Sequence, residues 1–479
     1  LSAQHQHDYK WLFGSIGEVD SGFATTVMDF NGSPVTVNSV QGELRFRDSN
    51  ASYSDGSGNL LYSTNGCRIA DSQYRSIAGT NALNPGYVQS RICPGGFGFN
   101  FPQTSLFLPF PGHEEMAVLL HTDIQVFTEP VVDVIQEHLR YSLVRNDTVL
   151  ILAEPLLRDT LFISDLTACK ASDGANWWII QRKINHDLHY VFKVDSIGIY
   201  LHHTQEGIST DTLLGSAAGQ SVFSPDGNKY IQWNRRSGIN VYDFDNTEGL
   251  LSNRVHIETP PIREGLNPGG CAISSSSQFL YVSSREKLFQ YDLNAEDIAE
   301  SRVLIDTFDG FSTPLPVTFY LMQLAPDCKI YMCATNGTNY LHTIHSPNQK
   351  GQACDFRQHD LRLPNNNNFS MPNFPMYRLG TDQPICDSSI LVNVYSLPIP
   401  ESLPISVYPN PAVDELHIEN FTTERVEINL VDLQGVVVQK SVINSGQLHF
   451  DVSNYPAGLY LVQWRHAEGR SGVEKWLKL

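Results

Sequence analysis

Three stretches in the middle of the chain share one layout, in which an apolar strand and a polar turn precede a second strand with an aromatic. They are VFSPDGNKYI at 222–231, AISSSSQFLYV at 272–282 and QLAPDCKIYM at 323–332. Tyr230, Tyr281 and Tyr331 stand 51 and 50 residues apart, and Trp178 precedes the first of them by 52. A second series, Phe192, Tyr242, Tyr291 and His342, keeps step at intervals of 50, 49 and 51. Two series in step mean a repeated supersecondary unit, which cannot bury its apolar faces alone and must stack on its neighbours. Each unit reads as several strands of about five residues, rich in Val, Ile, Tyr and Phe, separated by Ser-Pro-Asp-Gly or Asn/Asp turns. Four short strands in about fifty residues is the content of a propeller blade, and a ring of blades leaves no long strand edge exposed.

From Trp11 to about Leu379 there is room for seven blades, with NASYSDGSGNLLYSTNG (50–66) and GHEEMAVLLHTD (112–123) as earlier, less regular units. Six blades with a long loop is the alternative, because the interval between 119 and 178 is stretched. The strands near WLFG (11–14) and FATTVMDF (23–30) lack a blade of their own and are expected to close the ring against strands from about 369 to 379. No sustained 3.6-residue apolar spacing supports a helical solenoid. The pattern therefore predicts an all-β chain: a flexible N-terminus at 1–8, a seven-bladed (alternatively six-bladed) β-propeller at 9–380, and a Pro- and Ser-containing linker at 381–403. A small Ig-like antiparallel β-sandwich follows at 404–479, built from alternating strands such as ELHIEN, VEINLVD and LYLVQW.

The last segment carries a specific set of residues: Tyr408-Pro409-Asn410-Pro411, Leu416-His417-Ile418, Asp432-Leu433-Gln434-Gly435, Asp451-Val452-Ser453, Gly458-Leu459-Tyr460 and the terminal Lys475-Trp476-Leu477-Lys478-Leu479. In order and spacing it resembles the type A C-terminal sorting domain of the type IX secretion system of Bacteroidota. The resemblance implies export through the periplasm by a cleavable signal, passage through an outer-membrane translocon, and then either release or attachment at the surface. Its partners would be that translocon and the attachment machinery. Pro409 and Pro411 fix the backbone leading into the first strand. Gly435 and Gly458 permit turns closed to other residues, and losing either is expected to block export. Residues 9–388 similarly resemble secreted propeller-like proteins of the same phylum, a resemblance that implies a fold and no reaction. The chain opens Leu-Ser-Ala-Gln, and Ser2 and Ala3 read as the tail of a removed export signal.

Charge and cysteines narrow the partners. With 32 Lys and Arg against 51 Asp and Glu, net −19, the surface is unsuited to tracking phosphates, which argues against nucleic acid. The best apolar run, 149–157, is interrupted by Glu154 and Pro155 and is too short for a membrane helix. None of the eight cysteines forms a CxxC or Cys/His cluster. For an exported chain the expected disulfides are Cys67 with Cys93 and Cys354 with Cys386, each closing a loop worth about 3 kcal/mol. Cys271 and Cys333, inside apolar strands, are expected to be buried thiols.

Catalytic templates fail in turn. Gly219-Gln220-Ser221-Val222-Phe223 lacks the last glycine of a nucleophile elbow. In HEEMAVLLH, Ala117 stands where a zincin needs its second histidine, and His113 and His121, eight apart in a strand, are separated by about 26 Å. The Asp-rich DFDNTEG (243–249) misplaces the EF-hand glycine and has Arg254 at the bidentate position. His5 and His7 hold a metal only adventitiously, so no cofactor and no metal are expected. Trp177, Trp233 and Trp464 offer sugar-stacking platforms, but their place in the repeat favours the core. Thr148, Thr160, Ser196 and Thr212 follow Asp and precede an aliphatic residue, which resembles the O-glycosylation sequon of the phylum. The leading functional expectation is a secreted or surface-displayed binding protein for an unknown surface protein or glycan. A propeller enzyme on extracellular glycans or peptides, and a resident component of a surface complex, are the rivals.

Overall fold

The computed structural model describes residues 5–19, 21–127, 133–184, 186–207, 219–235, 237–258, 268–381, 384–390, 405–420, 425–432, 436–466 and 471–479. The chain divides into two compact units, Leu1–Asn393 and Val394–Leu479.

Among the described residues, seven antiparallel sheets follow one another through the first unit. Sheet I joins Lys10–Gly14, Thr25–Asp29 and Thr36–Val40, and sheet II joins Ala51–Ser54, Leu60–Thr64 and Ile69–Ala70. Sheet III is built on the long strands His113–Thr122, Asp133–Arg145 and Thr148–Leu161. Sheets IV to VII are four-stranded meanders in strict chain order, opening at Ala168, Gly219, Cys271 and Phe319. One short α-helix, Tyr87–Ile92, interrupts the strands of the described residues.

The period of two explains why these strands read as continuous apolar runs. In Phe279–Ser284 of sheet VI, Leu280 and Val282 join a core with Ile231, Trp233 and Val241 of sheet V. The alternate residues Phe279 and Tyr281 join a second core with Phe319, Met322 and Met332 of sheet VII. Tyr230, on the opposite face of sheet V from Ile231, meets Trp178 and Ile180 of sheet IV. Both faces of each sheet are buried against a neighbour, as in stacked blades. Both aromatic series lie at these contacts and are buried, His342 included.

Closure of the ring differs from the expectation. The opening strands do have a sheet of their own, completed by Thr36–Val40, and 369–377 contains no strand. Instead the last strand of sheet VII, Phe356–Asn368, packs against sheet I. Asn365 accepts the Ala24 amide at 3.2 Å and donates to Thr26 and Ser39, and Trp11 and Phe30 meet Tyr331 edge-on. Sheets I and II have three strands each, against four in each of sheets IV to VII.

The N-terminus and the linker also need correction. His7 is buried, stacks on Tyr53 and bonds the Ser54 carbonyl at 2.7 Å, while Asp8 pairs with Arg378, so residues 7 and 8 are part of the core. Cys67 pairs with Cys93 at a Cα separation of 5.6 Å. Cys386 pairs with Cys328 and not with Cys354, because Cys328 sits at a left-handed turn within reach while Cys354 is sealed in the core of sheets VI and VII. That bond, with the Asp387 amide donating to the Pro326 carbonyl at 2.7 Å, ties residues 384–390 to the first unit. Cys169, Cys271, Cys333 and Cys354 are free and buried, and burial raises each thiol pKa.

The second unit is a sandwich of two antiparallel sheets. Sheet VIII pairs Ile405–Tyr408 with Glu415–Asn420 and Gly446–Asp451; sheet IX has the order Val437–Ile443, Val426–Val431, Gly458–His466, Ser471–Lys478. Alternation puts Leu416, Ile418, Ile428, Leu430, Val462 and Trp476 into one apolar core between them.

Candidate functional site

In a propeller the first place to look for a site is the axis, where the opening strands converge. Here the segment 370–377 lies among the openings of several sheets, beside a void lined by Gln103, Thr167, Ser221, Ala272 and Met322. Asn373 donates to the carbonyls of Ser105 at 3.0 Å and Leu166 at 2.9 Å, and its own carbonyl oxygen accepts from Gln103. Gln103 in turn donates to the Ser221 carbonyl and accepts the Ser221 amide at 2.7 Å. Tyr377 donates to the Phe107 carbonyl, and the Lys170 ammonium caps the Tyr377 carbonyl. One buried segment thus satisfies backbone groups of sheet III and of the entry to sheet IV, and Gln103, which it holds, reaches sheet V, which explains prolines and an amide in place of a strand. Beside Phe374, Pro375 and Met376 a void of about 40 Å³ remains, room for one or two waters and not for a sugar or peptide.

The buried carboxylates around this centre do not form an acid and base pair. Burial pushes Asp48 up to about 6, against the hydrogen bond that Tyr320 donates at 2.7 Å. Burial also raises Asp165, although Arg182 lies 3.7 Å away and Ser221 donates to it. Asp327 is raised by burial and opposed by Lys329 and Tyr331. Each has its own partners, and none lines the void beside the plug. Asp8, which does line it, is held by a two-pronged pair with Arg378 at 2.5 and 2.8 Å.

Some large apolar groups left in water sit on loops, while others, such as Leu201, Leu250 and Leu304, lie in outer strands. Phe23 is 57% exposed, with Ile16 and Val19 on the same connection between the first two strands of sheet I, and Ile197 is 88% exposed in the turn at 195–198. These positions carry the clearest signal of a contact surface in the first unit. The sequence hints at them, since Ile16, Val19 and Phe23 are apolar residues in a turn-rich connection. Trp177, Trp233 and Trp464 are buried and offer no sugar platform. Thr148, Thr160 and Ser196 are exposed; Thr212 lies outside the described residues.

The C-terminal motif residues come together around the final strand. Asn410 donates to the Lys475 carbonyl at 2.8 Å and accepts the Leu477 amide at 3.0 Å. Ala412 continues the pairing, its amide donating to Leu477 and its carbonyl accepting from Leu479. The Tyr-Pro-Asn-Pro step thereby locks the end of the chain, with Pro409 and Pro411 on either side of the clamping asparagine. Tyr408 is exposed and stacks on His417. Asp432 accepts the Val436 amide at 2.9 Å, and Gly435 lies outside the described residues. Tyr460 packs on Trp476 and donates to the Pro456 carbonyl, and Lys478 is buried against the chain end. Gly458 has a φ of 158°, near the extended limit, with open space where a Cβ would stand, so crowding does not demand glycine there.

Residues 406–478 match the secretion system C-terminal sorting domain. No curated protein matches the chain. Among solved structures, an immunoglobulin-like β-sandwich protein of the DUF3244 family from Bacteroides vulgatus is 21% identical, covering 16% of this chain and 85% of its own, with a TM-score of 0.15. The β-propeller domain of Cps50 (Swd1) from Myceliophteria thermophila is 10% identical, covering 68% and 94%, with a TM-score of 0.39. PorZ, a surface component of the type IX secretion system of Porphyromonas gingivalis, is 9% identical over 98% and 100%, with a TM-score of 0.24.

Proposed function

We propose that this chain, whose C-terminal residues 406–478 are a type IX sorting domain, is a binding protein displayed or released at the cell surface, where its first unit captures a surface protein or glycan through peripheral loops. The sorting domain directs the chain to secretion and the cell surface, and its partner in that step is the type IX machinery. No helix among the described residues is long and apolar enough to cross a membrane.

The plugged axis is the observation that supports binding over catalysis. A propeller enzyme gathers its catalytic groups where the blades converge, and here that place holds Asn373 to Met376 and a void of about 40 Å³. Phe23 and Ile197, two of the groups that face solvent with apolar character, lie on loops. An array of glycans and surface proteins probed with the full chain, with mass analysis of every bound species, tests the reading. Retention of a ligand class with unchanged mass, weakened at least tenfold by Phe23→Ser or Ile197→Ser, supports it. Ligand cleavage, or binding indifferent to both substitutions, contradicts it.

A further inference from the structure

The outer face of sheet VIII gathers two imidazoles and a carboxylate. Alternation along Glu415–Asn420 turns Leu416, Ile418 and Asn420 inward and leaves Glu415 and His417 on the other face. On the neighbouring strand, His449 lies directly opposite His417 in the antiparallel register, and it is exposed while Phe450 is buried. The two rings meet edge to face with centroids 4.3 Å apart, and Glu415 Oε2 is 3.6 Å from His417 Nε2. Potential ligand atoms of all three residues lie within 4.8 Å of one another. Tyr408 stacks on His417 at 5.5 Å with rings nearly parallel, which fixes the imidazole plane.

We propose that Glu415, His417 and His449 form a site for a divalent transition metal of the zinc class on the surface of the sorting domain. Two neutral imidazoles and a carboxylate suit zinc, nickel and copper, and three protein ligands leave one tetrahedral position for water or an outside donor. Ligand atoms around a tetrahedral zinc stand about 3.4 Å apart, so a closure of about 1 Å is required. Glu415 and His449 are both exposed and can supply it by rotating their side chains. The metal would staple two strands separated by a long stretch of chain, alongside the Tyr-Pro-Asn-Pro motif. A second cluster, Asp123, Glu137 and His138, is a poorer candidate. Asp123 already accepts two backbone amides and His138, and Arg158 pairs with Glu137 at 2.9 Å.

Titration of the full chain with zinc by calorimetry, and with cobalt by visible absorption, tests the proposal. The expected result is one equivalent bound, with tetrahedral cobalt bands. His417→Gln and His449→Gln should each weaken binding at least tenfold and abolish the bands, and Glu415→Gln should weaken it with a shifted spectrum. A His5→Gln/His7→Gln variant should bind as the parent does. Because Glu415 and His449 are surface residues, their variants are expected to keep the parent far-ultraviolet spectrum. Absence of zinc binding by the parent, or affinity unchanged in both His417→Gln and His449→Gln, would overturn the site.

Discussion

Asn410 and four buried histidines show how much of this account rests on single side chains. Asn410→Ala removes two of the hydrogen bonds that hold the last strand, at an exposed position where each is worth about 1 kcal/mol. Thermal unfolding of the second unit should therefore shift down, while the first is unchanged. Asn373→Ala leaves the Ser105 and Leu166 carbonyls buried and unpaired, which should lower the unfolding free energy of the first unit, followed by urea titration, by about 1–3 kcal/mol per group. Burial holds His7 down to about 4 and His121, His189 and His342 to about 3. In the unfolded chain these groups bind protons near pH 6.5, so their contribution to stability is complete above that pH and is lost as the pH falls toward 3 to 4. Asp48, raised to about 6, acts in the opposite sense, its contribution being lost as the pH rises from 3.8 through 6. Four histidines against three aspartates raised by burial, Asp48, Asp165 and Asp327, predict a melting temperature that falls below pH 6.5, and His121→Gln should flatten part of that limb.

At the scale of elements, the strands were legible because period-two burial on both faces writes itself as apolar runs with recurring aromatics. Tyr230, Tyr281 and Tyr331 mark inter-sheet contacts for this reason. What was hidden depends on contacts between distant segments. Nothing local in 370–377 says that Asn373 will bond sheet III and the entry to sheet IV, and nothing in the spacing of eight cysteines selects Cys328 over Cys354 as partner of Cys386. His417 and His449 are likewise brought together by strand register alone. The Cys328–Cys386 bond yields a prediction: Cys386→Ser releases a loop closure worth about 4 kcal/mol in the chain-entropy model, for a separation of 58 residues. Limited proteolysis should then cleave after residue 381 far faster than in the parent, with the Cys67–Cys93 loop unaffected.

For the molecule as a whole, a ring of stacked sheets is joined to a sandwich with its own core, and the sandwich is the sorting domain. The address was readable from sequence because its motif residues are short-range and their roles local, as with Asn410 between two prolines. The ligand was not, because binding surfaces on a propeller are assembled from loops of different sheets. The decisive measurement is labelling of intact producing cells with a membrane-impermeant reagent, comparing the full chain with one lacking residues 406–478. The full chain should be labelled at the surface or found in the medium. The shortened chain should fold, resist protease as the first unit does, and be labelled only after the outer membrane is opened. Surface labelling of the shortened chain on intact cells, or its failure to fold, would contradict two separable units in which one addresses the other.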